Sequence, residues 1–171
     1  EMSFATQEDV FNALEPVLFD VFTKLTKNFY ISKPPFKKIP FDECVAKYGN
    51  DKPDLRNPLL LSNVTEMFKN SSFKLFADSI NKGSIVIAIP APNTKDQPRT
   101  FFDKLNSWAK SEDQGGMGYV QFINNEGKGP IANNLDKDRL KKFLEIDGMN
   151  GNSSIFFLCG KEDEIMEFAA I

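Results

Sequence analysis

Histidine is missing from all 171 residues. Its absence excludes a Ser/His/Asp triad, a Cys/His pair and a His-ligated zinc site within the chain, because each needs an imidazole as base or ligand. Cysteine is nearly as scarce. Cys44 and Cys159 lie far apart with no CxxC spacing, the first in a helical pattern and the second in a strand pattern, which fits a reducing compartment. Arginine occurs only at Arg56, Arg99 and Arg139, and the net charge is −3. No global nucleic-acid signature follows, so any contact with a polyanion has to come from a local cluster of cations. No apolar run approaches the roughly 20 residues of a membrane span, and no secretory signal opens the sequence. The sequons that begin at Asn63, Asn70 and Asn152 are chance matches without such a signal. Glycine clusters once, at Gly115-Gly116-Met117-Gly118, after a helical pattern and before a strand pattern. A phosphate loop needs the reverse order, so this cluster reads as a chain reversal.

What is present is ordinary for a folded chain, with 41% hydrophobic and 26% charged residues, and 17 phenylalanines to build an aromatic core. Carboxylates fall on predicted helix surfaces and turns, and no metal site is read among them. Residues 7–27 predict an amphipathic helix capped by Thr6, with Pro16 inside it. Residues 28–58 form a proline-rich connector with one short helical pattern, Phe41–Tyr48. Between Lys24 and Lys38 lie five lysines and no acid. That run reads either as a solvated linker or as a phosphate-facing edge.

From Leu59 onward the pattern alternates between short strands and helices. A helix is expected at 62–70, strands at 73–80 and 84–89, a helix at 98–111, and a strand at 118–124. A helix capped by Asp136 at 137–146, a strand at 154–159 and a helix from Lys161 complete the order. Four short strands predict an α+β fold in two layers, with a mostly antiparallel sheet covered by helices on one face. The opening EMSF is strand-like and the last residues are apolar, so both ends read as cut from something longer.

Three strings carry a resemblance. EMSFAT (Glu1–Thr6) resembles the strand closing class II motif 2 of bacterial-type aspartyl-tRNA synthetases, which an amphipathic helix follows. FDECVAKYGNDKPDLRNP (Phe41–Pro58) resembles that family's segment around YGSDKPDLRNP. KGPIANNL (Lys128–Leu135) is similar to a string in the family's insertion domain, and FKLFADSI and SIFFLCG resemble strands that flank it. Asn50 stands where Ser is usual, and Asn133-Asn134 replace a Lys-Phe-like pair. The resemblance covers essentially the whole chain in the family's order.

It implies an internal fragment of such an enzyme. Residues 1–58 would be a flanking catalytic-domain segment, and 59–171 the GAD (DCoH-like) insertion domain. The implied parent is a cytoplasmic homodimer, with no membrane partner, that activates aspartate with ATP and Mg2+ and esterifies it to tRNA. Neither ATP nor Mg2+ is expected to be bound by this fragment, and no catalytic residue is assignable within it. Glu1 is a neighbour of the aspartate site at most. Asp51, Lys52, Asp54 and Arg56 mark the junction and a candidate edge of the active site, or only cap turns around Pro53. Lys33, Lys37, Lys38, Arg99 and Lys128 are candidates for contact with the tRNA backbone on the acceptor-stem side. The alternative is a non-catalytic tRNA-binding module of a tRNA-dependent amidotransferase, which explains KGPIANNL but not the other two strings.

Overall fold

The computed structural model describes residues 1–170, and packing gathers the chain into two compact units, Glu1–Ile39 and Pro40–Ile171. In the first unit, Gln7–Leu25 forms helix α1. Asp9 N–H donates to Thr6 Oγ1 at 3.3 Å and Thr6 N–H donates to Asp9 Oδ2 at 2.8 Å. This reciprocal box satisfies donors that no helix can satisfy internally. The expected apolar stripe is present, yet no residue of α1 is buried, and Leu14, Val17, Leu18, Val21 and Phe22 are exposed. The strand expected at EMSF is absent. Phe4 takes a left-handed conformation (φ 56°) in a turn and is fully exposed. A strand needs a neighbour for its backbone ladder, and the described residues pair none with this segment.

The second unit begins with helix α2, Phe41–Tyr48, at its expected place, closed by Gly49 at φ 77°. Strand β1 is only Ser62–Asn63, and helix α3, Thr65–Phe68, follows. The helix expected at 62–70 is therefore shorter. Asn63 Oδ1 accepts from Thr65 N–H at 3.0 Å, and Thr65 Oγ1 accepts from the Val86 N–H at 2.9 Å, which pins this corner to the sheet.

The segment expected as a strand at 73–80 is helix α4, Lys74–Ile80. Phe73, Phe76 and Ile80 stand at i, i+3 and i+7, and Phe76 is buried against Phe68 with ring centroids 5.0 Å apart. Leu75, which a strand reading would place in the core, is exposed.

Strand β2 (Ile85–Ala91), helix α5 (Arg99–Ser111) and strand β3 (Gly118–Ile123) keep close to their expected bounds. A strand not anticipated, β4 (Glu126–Lys128), pairs with β3 through a two-residue turn, Asn124-Asn125, at φ 53° and 68°. Two left-handed residues suit a tight hairpin, and asparagine tolerates that conformation better than other non-glycine residues. A short 3-10 turn (Ala132–Asn134), helix α6 (Lys137–Leu144), strand β5 (Ser154–Gly160) and helix α7 (Glu162–Ala169) complete the unit. Asp136 caps α6 by accepting from Arg139 N–H at 2.8 Å, as expected.

The sheet has five strands in the order β1-β2-β5-β3-β4, all neighbours antiparallel, rather than four. Helices cover both faces rather than one. Val86, Ala88, Val120, Phe122, Ile155 and Phe157 face α3, α4 and α6 through Phe68, Phe76 and Phe143. Ile87, Phe156 and Leu158 face α5 and α7 through Phe102, Ile165 and Met166. The expectation of two layers fails because β5 is apolar at both parities, and an apolar residue on each face requires a cover on each face. Cys44 is buried on α2 as a free thiol. Cys159 is half-buried and also free, and burial pushes its thiol pKa up.

Candidate functional site

The string Asp51–Arg56 folds as a run of side-chain-capped turns. Asn50 Oδ1 accepts from Lys52 N–H at 2.8 Å, Asp54 Oδ1 from Arg56 N–H at 3.0 Å, and Asn57 Oδ1 from Leu59 N–H at 3.0 Å. Each short polar side chain accepts from the backbone N–H two residues on, which is why this composition turns instead of continuing a helix. Lys52 pairs with Asp51 at 2.8 Å, and that hydrogen bond draws the Asp51 carboxyl below its ordinary pKa. Arg56 presents its fork to Asp54, with Nε to Oδ1 at 2.8 Å and Nη2 to Oδ2 at 2.7 Å. These two bonds, with the Arg56 N–H, bring the Asp54 carboxyl down to about 2. The guanidinium that could meet a phosphate is thus matched within its own turn.

The same turns form one wall of a groove of about 370 Å³. Asn50, Pro53, Asp54 and Asn57 line it together with Leu105, Trp108 and Phe168 of α5 and α7. Trp108 lies 4.9 Å from Phe168 between centroids and stays partly exposed.

The basic candidates fall into two sets. In the first unit, Lys38 is engaged: its Nζ lies 2.7 Å from Glu8 Oε2 and 4.8 Å from the centroid of the Phe11 ring. Lys33 and Lys37 are exposed and make no ion pair among the described residues. Glu1 is exposed and stands outside any helix or strand. In the second unit, Arg99 opens α5 and Lys128 ends β4, and the segments that carry them are linked through a residue that sequence reasoning did not single out. Gln121 on β3 is the register partner of Lys128 on β4. Its Nε2 donates to the carbonyls of Thr94 (3.3 Å), Lys95 (2.9 Å) and Gln97 (3.3 Å). The loop from β2 is thereby fastened to the β3–β4 hairpin, two residues ahead of Arg99. The signal was a single polar residue in the otherwise apolar run GYVQFI.

Arg99 opens α5, whose first turn holds no acid and whose N-cap, Pro98, makes no side-chain cap. The positive end of the helix dipole is therefore met by no side-chain cap. Asp96 follows Lys95 in the loop, and Asp103 lies 3.6 Å from Arg99 Nε, so the local excess of positive charge is small. This arrangement suits a weak contact with an anionic backbone.

ATP with Mg2+ does not fit the described residues. The one glycine cluster is a helix-to-strand reversal, where Gly116 takes φ 113° and Asn106 Oδ1 accepts from Met117 N–H at 2.9 Å. No group of three or more potential metal ligands comes together among the described residues. None of their helices is long and apolar enough to cross a membrane.

An antiparallel sheet between two helical layers defines an α+β domain. Residues 76–169 match the GAD domain family, more than half of the sequence, and the chain belongs to that family. Across its full length the chain is 48% identical to the Aspartate–tRNA(Asp/Asn) ligase of Gluconobacter oxydans strain 621H, covering 29% of that protein. It is 50% identical to the ligase of the same name from Acidiphilium cryptum strain JF-5, over 99% of this chain and 28% of that one. To that of Rickettsia prowazekii strain Madrid E it is 47% identical, over 98% and 28%. The chain therefore spans less than a third of the relatives it matches, and the resemblance carried by the three strings is borne out along its whole length.

Proposed function

We propose that this chain is an internal segment of an aspartate–tRNA ligase, a class II enzyme that activates aspartate with ATP and Mg2+ and esterifies it to tRNA. In this reading residues 59–171 are the insertion domain and residues 1–58 the flanking catalytic-domain segment. The parent works as a cytoplasmic homodimer, and ATP and Mg2+ are handled by parts of it outside this chain. The insertion assists on the acceptor-stem side. The relatives' names favour a ligase over an amidotransferase module, and by those names the parent charges both aspartate and asparagine tRNA.

The observation that supports the tRNA role is the Gln121 clamp. It ties the segment just ahead of Arg99, Lys95 included, to β3, where Gln121 is the register partner of Lys128. The N-terminus of α5 has no side-chain cap. Lysines, an arginine and free backbone N–H groups bind phosphates without reading sequence. Asp51, Lys52, Asp54 and Arg56 are assigned to the junction with the catalytic core, since Asp54 and Arg56 satisfy each other. Lys33, Lys37 and Lys38 are secondary candidates, with Lys38 the weakest because Glu8 already neutralises it.

The test is charge reversal in the full-length enzyme. Lys128→Glu or Arg99→Glu should raise KM for tRNA at low salt and reduce the salt slope of binding by about one for each phosphate no longer neutralised. Aspartate-dependent pyrophosphate exchange should not change. Aminoacylation kinetics untouched at low and moderate salt would remove the phosphate role from this edge.

A further inference from the structure

We propose that Asn150-Gly151 is a site of spontaneous deamidation, and that its conversion loosens the β3–β4 hairpin. It is the one Asn-Gly step in the chain, and Asn150 is exposed in the turn between α6 and β5. Asn150 Oδ1 accepts from Asn152 N–H at 2.8 Å, an Asx turn that folds the carboxamide back over the Gly151 peptide. The backbone of Asn150 is held in place by Ser153, whose Oγ accepts from Asn150 N–H at 3.0 Å and donates to the Asn150 carbonyl at 2.6 Å. The Gly151 N–H has no acceptor among the described residues, so the attacking nitrogen is not tied up.

Both members of this labile pair have a structural reason to be there. A Cβ at position 151 would overlap Asn125 Oδ1 and lie 3.1 Å from Asn125 N, so the close approach to the hairpin requires glycine. The side chain of Asn150 supplies the acceptor that closes the turn before β5.

The chemistry needs only water. The Gly151 amide nitrogen, having lost its proton to water or hydroxide, attacks Asn150 Cγ and closes a five-membered succinimide. The Cγ–Nδ2 bond breaks, and Nδ2 leaves with a proton as ammonia. Water then opens the ring at one carbonyl or the other, leaving an aspartyl or an isoaspartyl residue at position 150. The isoaspartyl product routes the backbone through one additional methylene. That change falls where the Gly151 carbonyl accepts from Asn125 N–H at 3.0 Å and Asn152 Oδ1 accepts from Asn124 N–H at 3.2 Å. These two bonds anchor the hairpin that carries Lys128.

The experiment ages the folded 171-residue chain at neutral and mildly alkaline pH. Peptide mass spectrometry with electron-transfer fragmentation follows each asparagine, and a denatured sample is aged in parallel. Asn150 should convert about tenfold faster than any other asparagine, because no side chain at 151 hinders the nitrogen. The rate should rise with pH, and both aspartyl and isoaspartyl products should form. Asn150→Gln, which would have to close a larger ring, should abolish conversion at this position. Hydrogen exchange at the Asn124 and Asn125 amides should rise with ageing in the parent chain and stay constant in the Asn150→Gln variant. Conversion only in the denatured sample, or at the same rate as other asparagines, overturns the site. Conversion with unchanged exchange at Asn124 and Asn125 overturns the link to the hairpin.

Discussion

The guanidinium of Arg56 and the carboxylate of Asp54 sit two residues apart, and their bidentate match governs the charge of both. Asp54 titrates at about 2 because the charged form accepts two side-chain N–H groups and one backbone N–H. A depressed carboxyl contributes stability that is complete above its unfolded value and is lost as pH falls through the folded one. The window runs from the ordinary carboxylate range near pH 4 down to about 2. NMR titration of the Asp54 carboxyl should therefore show a low midpoint that rises toward the ordinary range in Arg56→Ala, which removes the side-chain donors and keeps the backbone N–H. The pair is solvent-exposed, which keeps its effect on the overall fold small. Gly49 is the opposite case, a residue with no side chain whose replacement should matter. Its φ is 77°, and a Cβ there would stand 2.7 Å from the Met166 carbonyl oxygen and 2.8 Å from Ala170 Cβ. Gly49→Ala should lower stability by about 1–3 kcal/mol, seen as a reduced denaturant midpoint without a change in slope. The caps Thr6 and Asp136 were legible because a cap is decided by neighbours three residues away. The role of Gln121 was not legible, since its acceptors lie 24–27 residues back in the chain.

At the scale of elements, α1, α2, α5 and α6 were readable from apolar spacing and caps, and β2, β3 and β5 from β-branched and aromatic runs. FKLFADSI was misread because so short a string satisfies both a period of two and a helical period. The conflict was decided by Phe68, Phe143 and Phe157, which form an aromatic cluster that receives Phe76 from a helix. The hairpin was missed because Asn-Asn is a weaker turn signal than Asn-Gly, although both residues adopt the left-handed conformation. Elements also differ in how far they are secured. β5 is central, paired on both sides and buried on both faces, whereas α1 has a sound capping box and no buried residue. Helices in proteins draw most of their stability from packing an apolar face, and α1 buries none of its residues. In a monomeric sample, amides in α1 should exchange on the order of a hundredfold faster than those of Ile155–Leu158. Equal protection would show that the stripe through Leu14, Leu18 and Phe22 is covered in solution.

For the molecule as a whole, the described residues bring together no group of three or more potential metal ligands, and Pro40–Ile171 forms a compact unit around one five-stranded sheet. Purified chain given aspartate, ATP and labelled pyrophosphate should produce no exchange above background. Exchange that depends on aspartate would place part of the active site within these residues. Three strings in family order, the absence of histidine and the local helix patterns were set by the sequence alone, because each rests on residue identities or on neighbours within a turn or two. The sheet order, the second helical layer and the helical state of Lys74–Ile80 were decided by tertiary structure. So was the meeting of Gln121 with Thr94, Lys95 and Gln97. Each of these depends on which distant apolar surface is there to be covered, or which distant carbonyl is there to accept, and local periodicity carries no record of either.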